Sequence, residues 1–215
     1  IIDENIFLAA KVWKIKYVDF ESKKIEVIKT SDGKKPIFYG GGAIVHPRIR
    51  EKMFEILYDK KEYDVLDQAS SDEINKMRKN FSVYNIYDLH FDRPLFIEEK
   101  RLTLFSFSGT RINRSISFLM NLAGIKNLLD DSSSSFEIEV SKKEFIEKWH
   151  SIINPLSQID SHIEQLLQEH PTLMDFSKWG ICLPEKYKVN LLKQRYFDFS
   201  NIKEIDSYRF NENKE

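Results

Sequence analysis

Between Val12 and Val18 apolar and polar residues alternate with period two. Trp13, Ile15 and Tyr17 take one side of the pleat, and Lys14 and Lys16 the other. That is the pattern of a half-buried strand, and it makes Trp13 a core anchor. After the polar break Glu21-Ser22-Lys23, Ile25 and Val27 alternate with Lys24 and Glu26, so the two runs read as a hairpin. Ser31-Asp32-Gly33 and Gly40-Gly41-Gly42 are further breaks. His46-Pro47 then opens a helix with Ile49, Met53, Ile56 and Leu57 on its apolar face. The helical pattern returns from Tyr63 to Tyr87, with Ser70-Ser71-Asp72 as the cap and Ile74, Met77 and Phe81 at helical spacing.

Leu95 to Phe107 reads as strand, ended by Gly109-Thr110. Thr110 or Asn113 caps a helix through Ile116, Leu119, Met120 and Ala123. Asp130-Asp131 and Ser132 to Ser135 form a loop, and Phe136, Ile138 and Val140 a short strand. Ser141 with Glu144 is a capping box for a helix through Phe145, Trp149 and Ile152, stopped by Asn154-Pro155. Two more helices follow, around Ile159 to Leu167 and Glu185 to Tyr196. Strands and helices alternate irregularly, so the pattern predicts an α+β fold and not a regular βαβ sheet. The 215 residues read as one domain, 1–215, with a helical subregion at 141–205.

Lys and Arg number 33 against 34 Asp and Glu, which excludes a globally basic coat but leaves room for a local basic face. Cys182 is the single cysteine; it permits no internal disulfide and no Cys-based zinc site. Its apolar neighbours Ile181 and Leu183 mark it as a buried small hydrophobe. His46, His90, His150, His162 and His170 are not at zinc-site spacing, and no metal ligand set is assigned. No Gly-x-x-x-x-Gly-Lys-Ser/Thr loop is present to cradle nucleotide phosphates, and no catalytic residue is assigned. The first residue is Ile1, no basic-then-apolar leader is visible, and apolar runs are far below the roughly 20 residues of a span. The expectation is a cytoplasmic segment of a longer protein, with no membrane partner.

Two features carry candidate chemistry. One is the basic strand face of Lys14 and Lys16, with Lys11, Lys23, Lys24 and Lys29 nearby. Such a face either tracks nucleic-acid phosphates or is simply solvated. The other is Gly109 to Arg114, where a strand ends and a helix starts with Arg111 and Arg114 in its first turn. Backbone N–H groups there suit a phosphate or an acidic partner. The plain reading is a capped helix with two solvated arginines.

Several segments in order resemble one family. Phe7-Leu8-Ala9-Ala10-Lys11-Val12-Trp13-Lys14-Ile15-Lys16-Tyr17-Val18-Asp19 looks like a strand pair of the Lhr-type (long helicase-related) superfamily 2 DEAD/DEAH-box helicases. Gly33-Lys34-Lys35-Pro36-Ile37-Phe38-Tyr39-Gly40-Gly41 is similar to that family's Gly-x-x-Pro-x-Trp-x-Gly segment. Phe107-Ser108-Gly109-Thr110-Arg111-Ile112-Asn113 resembles its Phe-x-Gly-x-Arg-x-His/Asn turn, and Leu183-Pro184 with Leu191 to Asp198 its closing motif. The resemblance is to the β-rich domain after the winged helix, and it implies a mostly antiparallel sheet wrapped around a helix, with helices toward the C-terminus. It implies a non-catalytic domain that guides single-stranded nucleic acid, for which the two features read above from the charge pattern, Lys14 with Lys16 and Arg111 with Arg114, are the expected contacts. It further implies that ATP and Mg belong to motor domains outside this chain, and that those motor domains and the winged helix are partners. A protein-docking module of the same parent, and a small enzyme using dispersed Asp, Glu and His, are the competing readings.

Overall fold

The computed structural model describes residues 5–8, 11–19, 22–29, 44–98, 101–129, 134–174, 179–200 and 202–213. The chain divides into two compact units, 1–41 and 42–215. The sequence breaks at 31–33 and 40–42, and the family-like segment 33–41, lie outside the described residues.

The first unit is a three-stranded antiparallel sheet in the order β1 (Asn5–Leu8), β2 (Lys11–Asp19), β3 (Lys24–Lys29). The predicted hairpin is β2–β3. Asp19 closes its turn, accepting from Ser22 N–H at 3.0 Å and from the Ser22 hydroxyl at 2.6 Å. Lys23 takes the left-handed position at φ 55°. The strict alternation is broken, however. Ile15 pairs with Val27 but Tyr17 pairs with Glu26, so the register shifts at Lys16. A bulge of this kind reverses the phase of the pleat. Ile15 is therefore buried, while Tyr17, expected beside it in the core, is 54% exposed and Trp13 only half-buried.

The second unit is built on a five-stranded sheet, order β6 (Asn127–Leu129), β7 (Ser135–Ile138), β5 (Arg101–Phe105), β4 (Asp92–Glu98), β8 (Arg209–Glu212). All pairs are antiparallel except β4–β8. With helices α1 (Pro47–Tyr58), α2 (Gln68–Phe81), α3 (Thr110–Leu122), α4 (Lys142–Trp149), α5 (Ile159–Glu169) and α6 (Glu185–Arg195), the fold is α+β. The last three helices lie toward the C-terminus, joined by short 3-10 turns.

The main core lies between the sheet, α3 and α4. Leu95, Leu102, Leu104, Phe136 and Ile138 from the strands meet Ile116, Leu119 and Met120 of α3 and Phe145 and Trp149 of α4. A second cluster joins Ile163 and Leu167 of α5 to Val189 and Leu192 of α6. A third stacks Phe54 of α1 on Phe107, with ring centroids 4.5 Å apart.

Helix starts follow the sequence, with adjustments. His46 caps α1, its Nδ1 accepting from Arg48 N–H at 3.2 Å. Phe54 and Leu57 fill the buried side, whereas Ile49 and Met53 face outward. The cap of α2 is Asp67, three residues before the expected serine, because its carboxylate reaches Ser70 N–H at 2.8 Å. That bond, and the Ser70 hydroxyl, hold the Asp67 carboxyl below its ordinary range. Ser141 caps α4, its hydroxyl accepting from Glu144 N–H at 3.3 Å, but the Glu144 carboxylate turns to Lys148 at 2.6 Å and so does not complete the expected capping box. Cys182, expected inside, is exposed: its 3-10 turn runs along the surface next to exposed Trp179.

Candidate nucleic-acid interface

The four candidate cations fall in two places. Lys14 and Lys16 lie on β2 in the first unit; Lys14 is half-buried and Lys16 exposed. The Lys16 bulge brings Tyr17 to the surface, and Lys23, Lys24 and Lys29 of the turn and β3 are exposed as well. From Val12 to Lys29 the hairpin carries five lysines (14, 16, 23, 24, 29) against three acids (Asp19, Glu21, Glu26). The surface is therefore basic and contains an accessible aromatic ring. Sequence reasoning missed that ring, because a one-residue bulge leaves no mark in an alternating pattern.

Arg111 and Arg114 lie in the first and second turns of α3 in the second unit. The cap is Gly109 and not Thr110 or Asn113. Thr110 is engaged elsewhere: its N–H donates to the Val45 carbonyl at 3.1 Å, and its Oγ1 accepts from Val45 N–H at 3.0 Å. Asn113 accepts from the Ser106 hydroxyl at 2.8 Å. The start of α3 is thus covered by the strand of chain leading into α1. A Cβ built on Gly109 would lie 2.6 Å from Pro47 N, so this close approach demands glycine. Gly109→Ala is expected to displace the start of α1 and cost about 2 kcal/mol. A thermal midpoint equal to the parent's would show that the 44–47 segment slides freely.

The guanidinium of Arg111 turns toward the C-terminal end of α6. Its Nε donates to the Phe197 carbonyl at 2.9 Å, and its other nitrogen to the carbonyls of Phe197 and Lys193. The Lys193 carbonyl is one of the last four of α6, at the negative end of its dipole, and the Phe197 carbonyl lies just past the helix. The partner that the sequence reading sought in a phosphate or an acid is here a helix end of the same chain. Arg114 lies over the Tyr196 ring, 4.1 Å from its centroid. Ser115 extends the joint: it donates to the Arg111 carbonyl at 3.1 Å and accepts from Asp198 N–H at 2.9 Å. Arg111, Arg114 and Ser115 therefore bolt α3 to the end of α6, a role that only long-range contacts reveal.

A groove of about 360 Å³ opens between α1 and α2. Met53, Ile56 and Leu57 form one wall, Ile74, Met77 and Phe81 the other, and Phe105 and Phe107 the floor. Phe107 holds φ 48°, a strained value for a bulky residue, and its stacking on Phe54 fixes the ring beneath the groove. Among the described residues no group of three or more His, Cys, Asp or Glu side chains is placed to hold a metal ion, and no helix is long and apolar enough to cross a membrane. No family model, curated protein or solved structure matches this chain.

Proposed function

We propose that the chain is a non-catalytic nucleic-acid-binding accessory module of an ATP-dependent helicase. In this reading it grips single-stranded nucleic acid in the cytoplasm while motor domains outside the chain use ATP and Mg. The observation that carries the binding role is the β2–β3 hairpin, which exposes Lys16, Lys23, Lys24 and Lys29 as well as Tyr17, the last opposite Glu26. Lysines attract the phosphate backbone, and a tyrosine ring stacks on any base. The helicase parentage rests on the resemblance of ordered segments alone.

The test is anisotropy of labelled oligo(dT) and oligo(U) over a range of salt. Lys16→Gln with Lys24→Gln is expected to flatten the salt dependence by about 0.7 units of slope per lysine. Tyr17→Ala is expected to weaken binding about tenfold at every salt concentration, as loss of one stacked base does. Binding by the parent that none of these substitutions alters would remove the hairpin from the interface.

A second reading, a protein-docking module, is favoured by the methionine-walled groove between α1 and α2. Apolar docking changes little with salt, which separates it from phosphate binding.

A further inference from the structure

Helix α6 carries Lys186, Lys188, Lys193 and Arg195 against one acid, Glu185. Two of these five charges are accounted for. Lys193 pairs with Asp160 at 2.7 Å, and Glu185 accepts weakly from Gln168 at 3.5 Å. Lys186, Lys188 and Arg195 make neither an ion pair nor a hydrogen bond among the described residues. This contrasts with α1 and α4. There Arg48 and Lys52 meet Glu55, and Lys148 meets Glu144.

The arrangement on the helix is specific. Val189 and Leu192 face the core against α5. Tyr187, Lys188 and Arg195 fall within about 100° of one another by the helical period, Tyr187 and Arg195 exposed and Lys188 half-buried, while Leu191 between them packs on the second core cluster. Lys188 and Arg195 are two turns apart, roughly 10.5 Å along the axis. Tyr187 beside them is 60% exposed. Glu185 lines the same shallow pocket as Lys188. Asp160 is held by Lys193, and Asp198 accepts from the Ser200 N–H and hydroxyl. Arg111 also donates to the Lys193 carbonyl near the end of the helix and to the Phe197 carbonyl just past it.

We propose that this face of α6 is a second nucleic-acid contact, with Lys188 and Arg195 on phosphates and Tyr187 against a base. It rests on the reading of the chain as a nucleic-acid-binding module, but on a helix in the second unit and not on the hairpin. Unpaired cations at fixed spacing beside an accessible aromatic ring match a polyanion that also offers π-faces. An acidic protein segment would use the cations but not the ring.

The experiment uses the whole chain and labelled oligo(dT), titrated at several salt concentrations. Lys188→Gln with Arg195→Gln is expected to flatten the salt slope by about 1.4. Lys126→Gln with Lys143→Gln, which removes the same charge elsewhere on the second unit, is expected to leave the slope unchanged. Tyr187→Ala is expected to weaken binding about tenfold without altering the slope. All these positions are exposed or half-exposed, so circular dichroism should match the parent's. Equal effects from the α6 pair and the control pair overturn the inference, because they would reflect net charge alone. Displacement of the oligonucleotide by polyglutamate at equal charge overturns it too, in favour of an acidic protein partner. A hairpin variant that loses binding while the α6 variants keep it overturns the α6 contact and leaves the hairpin reading standing. Absence of binding by the parent overturns both.

Discussion

Trp149→Ala is expected to destabilise the second unit by about 3–5 kcal/mol, the range for emptying a large core site. Trp149 ends α4 and is only 1% exposed. Its ring packs on Phe145 and Phe210, with centroids 5.4 and 5.0 Å away, and lies over Tyr208 at 6.4 Å. Its Nε1 donates to the Ile205 carbonyl at 2.9 Å. That one side chain therefore ties α4 to the segment that enters β8, the last strand of the sheet. Alanine removes the ring and leaves the Ile205 carbonyl with the Tyr208 N–H, 3.2 Å away, as its remaining donor. Trp149→Phe restores most of the volume but not the donor, and is expected to cost about 1–2 kcal/mol. Urea unfolding followed by circular dichroism measures both. A midpoint for Trp149→Ala within error of the parent's would mean that α4 does not pack as described.

Asp92→Ala is expected to cost about 3–4 kcal/mol at neutral pH, from two orphaned amides at about 1–3 kcal/mol each and a lost ion pair. Asp92 opens β4 and is 3% exposed. One carboxylate oxygen accepts from the N–H groups of Tyr87 and Asp88 at 2.8 and 2.9 Å, and the other pairs with Arg209 Nε of β8 at 2.8 Å. It thus fixes both the turn before β4 and the parallel β4–β8 pair. Burial by itself raises its pKa, but the two amides and the Arg209 charge outweigh burial and hold it below the ordinary value. The sign of the pH effect follows. A carboxyl depressed in the folded state stabilises above its unfolded pKa of about 3.9, and that contribution is lost as pH falls through the lower folded value. The gap between parent and Asp92→Ala should therefore be full at pH 7 and shrink below about pH 4. A gap that is constant down to pH 2 would show that the charge of Asp92 contributes nothing.

A neighbouring residue shows how far tertiary context reaches. Arg93 is buried between the rings of Phe54 and Tyr208, 5.6 and 4.2 Å from their centroids. It donates to the carbonyls of Leu89 and Asp92 at 3.0 and 2.7 Å, and its Nε has no hydrogen-bond partner among the described residues. In the sequence Arg93 lies between Asp92 and Pro94 and carries no sign that it is inside.

Much of the local structure was determined by the sequence itself. The β2–β3 hairpin, the His46-Pro47 helix start, the Gly109-Thr110 strand-to-helix turn and the Ser141 cap of α4 are all present. Each depends on residues within a few positions of one another, through period, φ preference or a side-chain cap, so short windows suffice to read them. What failed involves partners far along the chain or a single-residue shift. The bulge at Lys16 moved Tyr17 from core to surface, and the pairing of β8 with β4 joins residues more than 100 positions apart. Arg111 found its partner at Phe197, 86 residues away, where a helix end offered carbonyls that no local pattern announces. The candidate site divides in the same way. Its lysines are visible in the sequence as a charge pattern, whereas the exposure of Tyr17 and Tyr187 and the unpaired state of Lys188 and Arg195 were decided by which faces the fold buried. Burial is a property of the whole chain, set by the apolar area that distant segments remove from water together.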